Sequence, residues 1–270
     1  MVEFPNAKIN LGLSVTERRS DGYHNLETVF YPVPLCDVLE VIRGETFSFR
    51  VSGWALDGPE EENLVVKAWR LLEERFGLPP VVIRLHKVIP SGAGLGGGSS
   101  DAAFMLKMVN DLFSLALSEA ELEAEAGKLG ADCPFFIGNT PSFATATGNI
   151  LTPIEVDLSG LHLVLVKPPV HVHTGKAYQS IMPRQPEISV REIVQQPAER
   201  WKGLLVNDFE GPVFRMFPEI GEIKEELYRQ GALYASMSGS GSAVYGLFRA
   251  LPLGIRERFP KNTFIFVHAL

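Results

Sequence analysis

The chain has 270 residues, a formal net charge of −7 at pH 7 and 46% apolar residues. This is globular composition, and the length allows one large domain or two, which excludes a disordered chain. The acidic balance argues against nonspecific nucleic-acid binding, which needs a cationic face. The two cysteines, Cys36 and Cys133, are too few for a disulfide scaffold or a thiolate zinc site.

The sequence also predicts where the protein works. The first residues lack a basic segment followed by an apolar stretch, so no signal peptide is expected. No apolar run approaches the roughly 18 residues that span a bilayer. We therefore expect a cytoplasmic protein that binds neither a membrane nor a nucleic acid.

Strand and helix patterns alternate along the chain, which predicts a mixed α and β fold. The predicted strands cover residues 47–51, 81–89, 161–167, 243–248 and 263–267. The predicted helices cover residues 62–76, 100–117, 118–130 and 218–230. Asn63 is expected to cap the first helix, and Ser118 with Glu121 predicts a capping box for the third.

Two segments interrupt this alternation. Residues 138–153 are rich in Gly, Thr, Asn and Pro. They predict a boundary between an N-terminal domain, 1–153, and a C-terminal domain, 154–270. Residues 183–197 are polar and punctuated by prolines, which predicts a mobile connection.

A glycine-rich segment at residues 90–101 follows the second predicted strand and leads into a helix. Five of the seven residues 92–98 are glycines, so the backbone can approach a bulky anion closely. The helix start adds unpaired N–H groups and the positive end of a dipole, which favours phosphate binding. The alternative for the segment is a flexible loop or a tight packing corner. Ser99 and Ser100 would supply hydroxyls to phosphate or metal, or one of them would be the helix N-cap, and different serines could do each. The expected phosphate contacts are Pro90, Gly92, Gly94, Leu95, Gly96, Gly97, Gly98, Ser99 and Ser100.

Neither common nucleotide-binding signature explains this segment. Gly92, Gly94 and Gly97 satisfy the pattern G-x-G-x-x-G, which is weak evidence by itself. A Rossmann unit also needs an acidic residue at the end of the next strand, about 20 residues on, and Glu119 falls in a helical pattern instead. A Walker A loop needs a lysine that this segment lacks. A Rossmann dehydrogenase is therefore disfavoured.

The segment resembles the phosphate loop of the GHMP kinases, the superfamily of galactose, homoserine, mevalonate and phosphomevalonate kinases. Residues 7–11, Ala-Lys-Ile-Asn-Leu, resemble the first motif of that superfamily, and residues 237–242, Met-Ser-Gly-Ser-Gly-Ser, resemble the third. Three details are similar to the family of 4-diphosphocytidyl-2-C-methyl-D-erythritol kinases. They are Asp-Gly-Tyr-His at 21–24, the triple glycine with two serines at 96–100, and Gly-Ala-Asp-Cys-Pro-Phe-Phe at 130–136.

The resemblance implies a two-domain α+β GHMP kinase fold. The N-terminal domain is expected to be like ribosomal protein S5 domain 2, and the C-terminal domain to be ferredoxin-like. The implied activity is a kinase that uses ATP and Mg²⁺ and phosphorylates the 2-hydroxyl of a cytidine-diphosphate-linked polyol, in the non-mevalonate isoprenoid precursor pathway. The expected partners are these two small molecules, and the expected state is a monomer or a weak homodimer.

The resemblance also implies roles for single residues. Asp132 is expected to be the catalytic base with Lys8 beside it. From the residues alone, Asp132 could instead be a turn aspartate and Lys8 a solvent-facing strand residue. Ser100 is the candidate Mg²⁺ ligand, while Asn63 and Lys87 are expected near the nucleotide. The expected substrate contacts are Asn10, Tyr23, His24, Thr174, Tyr178, Gly239, Ser240 and Gly241.

Two other functions stay open at this point. Another GHMP kinase would act on homoserine or a mevalonate derivative and would show no effect of cytidine. A nucleotide-binding sensor that has lost catalysis would bind ATP without releasing ADP. Lys8 and Asp132 argue against the sensor, because such a protein has no need of a base and a cation.

Overall fold

The computed structural model describes residues 1–55 and 58–270, and within these ranges twelve strands and eight α-helices alternate. The strands are β1 (Val2–Glu3), β2 (Asn6–Arg18), β3 (His24–Cys36), β4 (Val38–Arg43), β5 (Ser48–Gly53), β6 (Val81–Lys87), β7 (Ser142–Thr145), β8 (Ile150–Pro153), β9 (His162–Lys167), β10 (Tyr234–Met237), β11 (Val244–Phe248) and β12 (Phe264–Ala269). The helices are α1 (Leu64–Phe76), α2 (Gly97–Phe113), α3 (Glu119–Gly127), α4 (Phe135–Gly138), α5 (Thr174–Gln179), α6 (Val190–Val194), α7 (Glu210–Met216) and α8 (Pro218–Arg229). The expected α+β class is confirmed.

The first of two compact units comprises Met1–Lys8, Pro32–Ser91 and Gly96–Thr140. Its sheet has the strand order β1-β4-β6-β5. Strand β6 runs antiparallel to β4 and parallel to β5. Helices α1 and α2 pack against each other and bury apolar side chains such as Trp69 and Leu106.

The second unit comprises Ile9–Tyr31, Gly92–Leu95 and Pro141–Leu270. One of its sheets is antiparallel with the order β10-β11-β9-β12, and the other has the order β2-β3-β7-β8. Its core joins side chains of α8 and β11, such as Leu227 and Val244. Both units draw on several stretches of the chain, and the division into domains 1–153 and 154–270 stays a prediction.

Local signals in the sequence set the ends of several helices as predicted. The Asn63 side chain accepts a hydrogen bond from the N–H of Val65 at the start of α1. Gly77 ends that helix in the left-handed region, with φ of 63°. Ser118 and Glu121 form the expected capping box of α3. These predictions succeed because each cap joins residues that are close in the sequence.

Three details differ from the predictions. Residues 183–197, expected to be a connection, contain α6, which is capped by the side chain of Ser189 and buries Val190 and Ile193. The prolines on either side hid this short apolar pattern. Helix α2 begins at Gly97 rather than at residue 100, and α3 ends at Gly127 rather than near residue 130. Within the described ranges, no helix has the length and apolar character needed to cross a membrane.

Candidate active site

The glycine-rich segment enters helix α2 without a side-chain cap. The N-cap residue is Gly96, which is left-handed with φ of 69°, and no side chain caps the helix there. The alternative in which Ser99 or Ser100 caps this helix is wrong, because both residues lie within its first turn. The first N–H groups of a helix have no partner within the helix, so this end is suited to an anion such as phosphate.

Gly96 also allows close packing in the first unit. A Cβ atom at this position would lie 2.9 Å from the ring of Phe136 and 3.1 Å from Cγ of Lys8. Both the contacts and the left-handed backbone therefore disfavour any side chain here. The consequence is that the start of α2 lies directly against Lys8.

Lys8 and Asp132 form an ion pair in the same unit. The Nζ atom of Lys8 lies 3.4 Å from Oδ2 of Asp132, and their side chains are 4% and 36% exposed. Lys8 lies on β2, and Asp132 lies between α3 and α4. The burial of Lys8 excludes the solvent-facing alternative, while the carboxylate stays accessible. A cation at this distance can stabilise negative charge that develops on a neighbouring substrate oxygen.

Ser100 fits the ligand role that was expected of it. Its hydroxyl is fully buried and has no hydrogen-bond partner. Buried polar atoms normally have partners, so this oxygen suits a bond to a group outside the protein chain. Mg²⁺ takes oxygen ligands and is often held by one or two protein groups plus phosphates and water. Within residues 1–55 and 58–270, no group of three or more His, Cys, Asp or Glu side chains could hold a metal.

Ser99 lies beside the turn that carries the accessible carboxylate. Its hydroxyl hydrogen-bonds the thiol of Cys133, and burial raises the pKa of that thiol to about 11. A thiol with such a high pKa carries almost no thiolate at neutral pH. Cys133 is therefore a buried packing residue next to Asp132 and does not act as a nucleophile.

A buried charge network lies beside the start of α2, where a Cβ atom at Gly97 would lie 3.4 Å from Nζ of Lys87. Its members are Asp37, Lys87 and Asp101. The ammonium of Lys87 donates to Asp37 and also to Asp101, the latter at 2.6 Å. The side-chain exposures of Lys87, Asp37 and Asp101 are 3%, 0% and 2%. Lys87 was expected near the nucleotide, and the structure places its ammonium between two carboxylates.

This network joins the two ends of the glycine-rich segment. Asp37 accepts hydrogen bonds from the N–H groups of Val88 and Ile89, at 2.5 and 2.8 Å, just after β6. Asp101 lies in α2, just after the serines. Burial raises the pKa of Asp101 to about 7, and the charge of Lys87 partly opposes that rise. No motif in the sequence pointed to a role for Asp37 or Asp101, although an aspartate between two strand patterns is a signal that could have found Asp37.

The three predicted motifs meet in the second unit. The backbone N–H of Asn10 donates to Oγ of Ser238 at 3.2 Å, and its side chain donates to Thr28 at 3.0 Å. The hydroxyl of Ser238 donates to the carbonyl of Gly94 at 2.8 Å. Gly94 has φ of 78°, and a Cβ atom there would lie 2.0 Å from the Ser238 carbonyl oxygen. Only glycine permits this approach.

An aromatic stack forms elsewhere in the second unit. The rings of His24 and Tyr178 are parallel within 17°, with centroids 4.9 Å apart, and Phe209 packs edge-on against Tyr178 at 4.8 Å. Burial, with a smaller effect of Arg18, lowers the pKa of His24 and favours its neutral imidazole. Tyr23, which was also expected to contact the substrate, is 67% exposed. Its neighbour His24 is the residue that stacks on Tyr178.

The third motif also contacts helix α5. The hydroxyls of Thr174 and Ser240 share a hydrogen bond of 2.8 Å in the second unit, where Thr174 is exposed and Ser240 is half-buried. Gly239 and Gly241, on either side of Ser240, have φ of 55° and 92°. The structure thus brings together Thr174 and Ser240, two of the predicted substrate contacts.

Comparison with known proteins agrees with this geometry. The profile of the GHMP kinases N terminal domain matches residues 63–139, and that of the GHMP kinases C terminal domain matches residues 190–263. A 4-diphosphocytidyl-2-C-methyl-D-erythritol kinase of Bacteroides thetaiotaomicron is 58% identical over 252 residues, which is 92% of each chain. The chain belongs to the 4-diphosphocytidyl-2-C-methyl-D-erythritol kinase family of the GHMP kinases. The resemblance stated from the motifs is confirmed.

Further relatives of this GHMP kinase support the same family. The enzyme of the same name from Cytophaga hutchinsonii is 50% identical to this chain. The matched region is 97% of this chain and 96% of the Cytophaga enzyme. A crystal structure of 4-(cytidine 5'-diphospho)-2C-methyl-D-erythritol kinase has 38% identity and a TM-score of 0.78, covering 92% of this chain and 90% of its own. The mevalonate kinase of Methanococcus jannaschii, at 13% identity and a TM-score of 0.73, covers 100% of this chain and 98% of its own, and it shows the shared fold.

Proposed function

We propose that this GHMP kinase transfers the γ-phosphoryl group of ATP to the 2-hydroxyl of 4-diphosphocytidyl-2-C-methyl-D-erythritol, in the non-mevalonate isoprenoid precursor pathway. The observation that carries the proposal is the ion pair of Lys8 and Asp132, 3.4 Å apart, in the unit where Lys8 packs on Gly96. A base, a cation and a phosphate-binding helix start are the parts that phosphoryl transfer needs. The family membership supports the choice of acceptor.

Asp132 is proposed as the general base. Its accessible carboxylate accepts the proton of the acceptor hydroxyl, whose oxygen bonds to the γ-phosphorus as the bond to the β–γ bridging oxygen breaks. ADP leaves, and the proton stays on Asp132 until solvent removes it. The ammonium of Lys8 stabilises the negative charge that develops on the attacking oxygen.

The nucleotide is proposed to bind at the glycine-rich segment 90–100. The N–H groups at the start of α2 suit the triphosphate. Bound Mg²⁺ would neutralise part of the phosphate charge, and the unpartnered hydroxyl of Ser100 would hold it. Asn63 caps α1 through its Oδ1 atom, and its Nδ2 group is proposed for the contact with the nucleotide. Lys87 is 3% exposed, so it is proposed to affect the nucleotide indirectly, by its ion pair with Asp101 in α2.

The cytidine is proposed to bind at the aromatic stack. The faces of His24 and Tyr178 offer apolar area for a base, and the neutral imidazole and the backbone near Tyr23 offer polar groups for its edge. Thr174 and the turn 239–241 are proposed for the substrate diphosphate, because their hydroxyls and N–H groups suit phosphate oxygens. Asn10 is proposed to orient the polyol.

The test is ADP release from ATP and Mg²⁺ with three acceptors, namely the cytidine-diphosphate-linked methylerythritol, homoserine and mevalonate. Turnover with the first alone is expected. Turnover with homoserine or mevalonate alone would keep the fold and discard the cytidine site. ATP binding without turnover of any acceptor would favour the non-catalytic sensor.

A matched variant tests the base. Asp132→Asn keeps the size of the side chain and removes its basicity, so kcat is expected to fall by about 10²-fold or more. ATP affinity, measured by calorimetry, is expected to stay within a few-fold of that of the parent. Near-normal turnover of this variant would remove Asp132 from the mechanism.

The proposal also covers the setting of the enzyme. We infer a cytoplasmic enzyme that acts as a monomer or a weak homodimer with small-molecule substrates. Light scattering over a range of concentrations tests the oligomeric state, and a stable larger assembly would contradict it. Fractionation of the source cells tests the location.

A further inference from the structure

We propose that Asn207 is a positioning residue that holds the turn of the third glycine motif in the shape that Gly94 and Asn10 require. No motif in the sequence pointed to this residue, which lies just before α7. The inference rests on the proposed function, because Gly94 belongs to the proposed phosphate-binding segment. All the residues that carry it lie in the second unit.

The side chain of Asn207 makes hydrogen bonds on both sides of Ser238. Its Nδ2 donates to the carbonyls of Met237 and Gly239, each at 2.8 Å, and its Oδ1 accepts from the N–H of Phe209 at 3.0 Å. The residue is 3% exposed. A primary amide supplies both the two donors and the acceptor that these three bonds need.

The residue between those two carbonyls reaches the proposed active site. Ser238 donates to the Gly94 carbonyl at 2.8 Å and accepts from the N–H of Asn10 at 3.2 Å. On the same turn, a Cβ atom at Gly239 would lie 3.4 Å from both Oδ1 of Asn10 and Cα of Gly94. A change in the backbone of this turn would therefore shift Gly94 and Asn10, which contact Ser238 and Gly239 directly.

The neighbours of Asn207 fasten the same segment from other directions. Asp208 accepts from the N–H of Val15 at 2.8 Å, and Glu210 accepts from the N–H of Met237 at 2.9 Å. Asn207 itself holds the turn at two carbonyls. The segment is thus anchored independently of Asn207, so that loss of its amide should affect the turn while the segment stays in place.

The decisive variant is Asn207→Asp, which keeps the shape and replaces the Nδ2 amino group, with its two N–H donors, by one carboxylate oxygen. That oxygen would face the two carbonyls, leave them unpaired and repel them. A displacement of about 1 Å near a reacting group can cost about 10²-fold in rate, so we expect kcat to fall by at least tenfold. The KM for the cytidine substrate is expected to rise as well, because the turn 239–241 is proposed to hold the substrate diphosphate. Asp208→Asn, also isosteric and one residue along, is the matched control and is expected to keep kcat within about threefold.

A double-variant cycle separates positioning from general damage. Asn207→Ser keeps a single donor of smaller size, and Ser238→Ala removes the link to Gly94. If Asn207 acts through the turn, the kcat losses of these two changes are less than additive in the combined variant. Additive losses would overturn the proposal, as would normal kcat in a folded Asn207→Asp protein. Failure of both Asn207 variants to fold would also overturn it, because Asn207 would then be needed for folding alone.

Amide hydrogen exchange gives a readout that needs no turnover. The peptide covering residues 237–243 is expected to exchange faster in Asn207→Asp than in the parent or in Asp208→Asn. If the parent lacks kinase activity but this peptide responds, the proposed function fails and the positioning of the turn stands. If the parent is active and the peptide does not respond, the positioning of the turn fails alone.

Discussion

Lys87→Met tests whether the buried charge network stabilises the first unit. Methionine has a similar length but no charge, so the change leaves Asp37 and Asp101, 0% and 2% exposed, without their cation. Asp37 keeps two backbone donors, at Val88 and Ile89. Asp101 loses the bond from Lys87 to its Oδ2, and its Oδ1 is already unpartnered. Breaking a buried pair at one partner costs about 3–5 kcal/mol.

That loss is large against a total stability of about 5–15 kcal/mol. Urea unfolding followed by circular dichroism measures it, and the expected loss is about 3 kcal/mol or more. Arg84→Met is the control, because it breaks an exposed pair with Glu40 at 3.8 Å whose side chains are 64% and 36% exposed. The control is expected to lose about 1 kcal/mol or less.

Adding Asp101→Asn to Lys87→Met sharpens the test. Without Lys87, Asp101 has to take up a proton to stay buried beside Asp37, whereas the amide is already neutral, so the double variant is expected to regain part of the lost stability. A loss in Lys87→Met no larger than that in the Arg84 control would refute the reasoning. So would a double variant that is less stable than Lys87→Met alone.

Three further changes probe the site. Gly94→Ala places a Cβ atom 2.0 Å from the Ser238 carbonyl oxygen, and kcat is expected to fall by about 10²-fold. A kcat close to that of the parent would show that the segment can shift to make room for the methyl group. His24→Ala removes one ring of the stack, so the KM for the cytidine substrate is expected to rise by up to about tenfold with the KM for ATP unchanged; equal changes in both would exclude a cytidine role. Ser100→Ala removes an unpartnered hydroxyl, so thermal stability should hold while the Mg²⁺ concentration for half-maximal rate rises; an unchanged requirement would remove Ser100 as a ligand.

The parts that sequence reasoning predicted well are those set by neighbouring residues. Asn63 caps α1 through Val65, and Ser118 caps α3 through Glu121. The motif resemblance also led to the pair of Lys8 and Asp132, which are distant in the sequence and 3.4 Å apart in space. That success depended on the family pattern, since no periodicity relates the two positions.

The missed residues act through contacts between distant parts of the chain. Asp37 and Lys87 are 50 positions apart, and Asn207 and Gly239 are 32 positions apart. An isolated Asp or Asn in a sequence reads as a surface or turn residue, because those are its usual places. The burial that gives these side chains their roles appears only when the sheets and helices are assembled.

The predicted start of α2 at residue 100, and the alternative of a serine cap there, are wrong for a different reason. A serine is slightly better than glycine as an N-cap, and the sequence offers Ser99 and Ser100, so the local rule placed the cap there. The structure uses Gly96 and leaves this end of the helix without a side-chain oxygen. A capping oxygen would occupy N–H groups that a phosphate could otherwise bind. The glycine cap thus costs the helix a few tenths of a kcal/mol, about the difference between the two caps, and leaves the N–H donors without a side-chain oxygen that would compete with an anion.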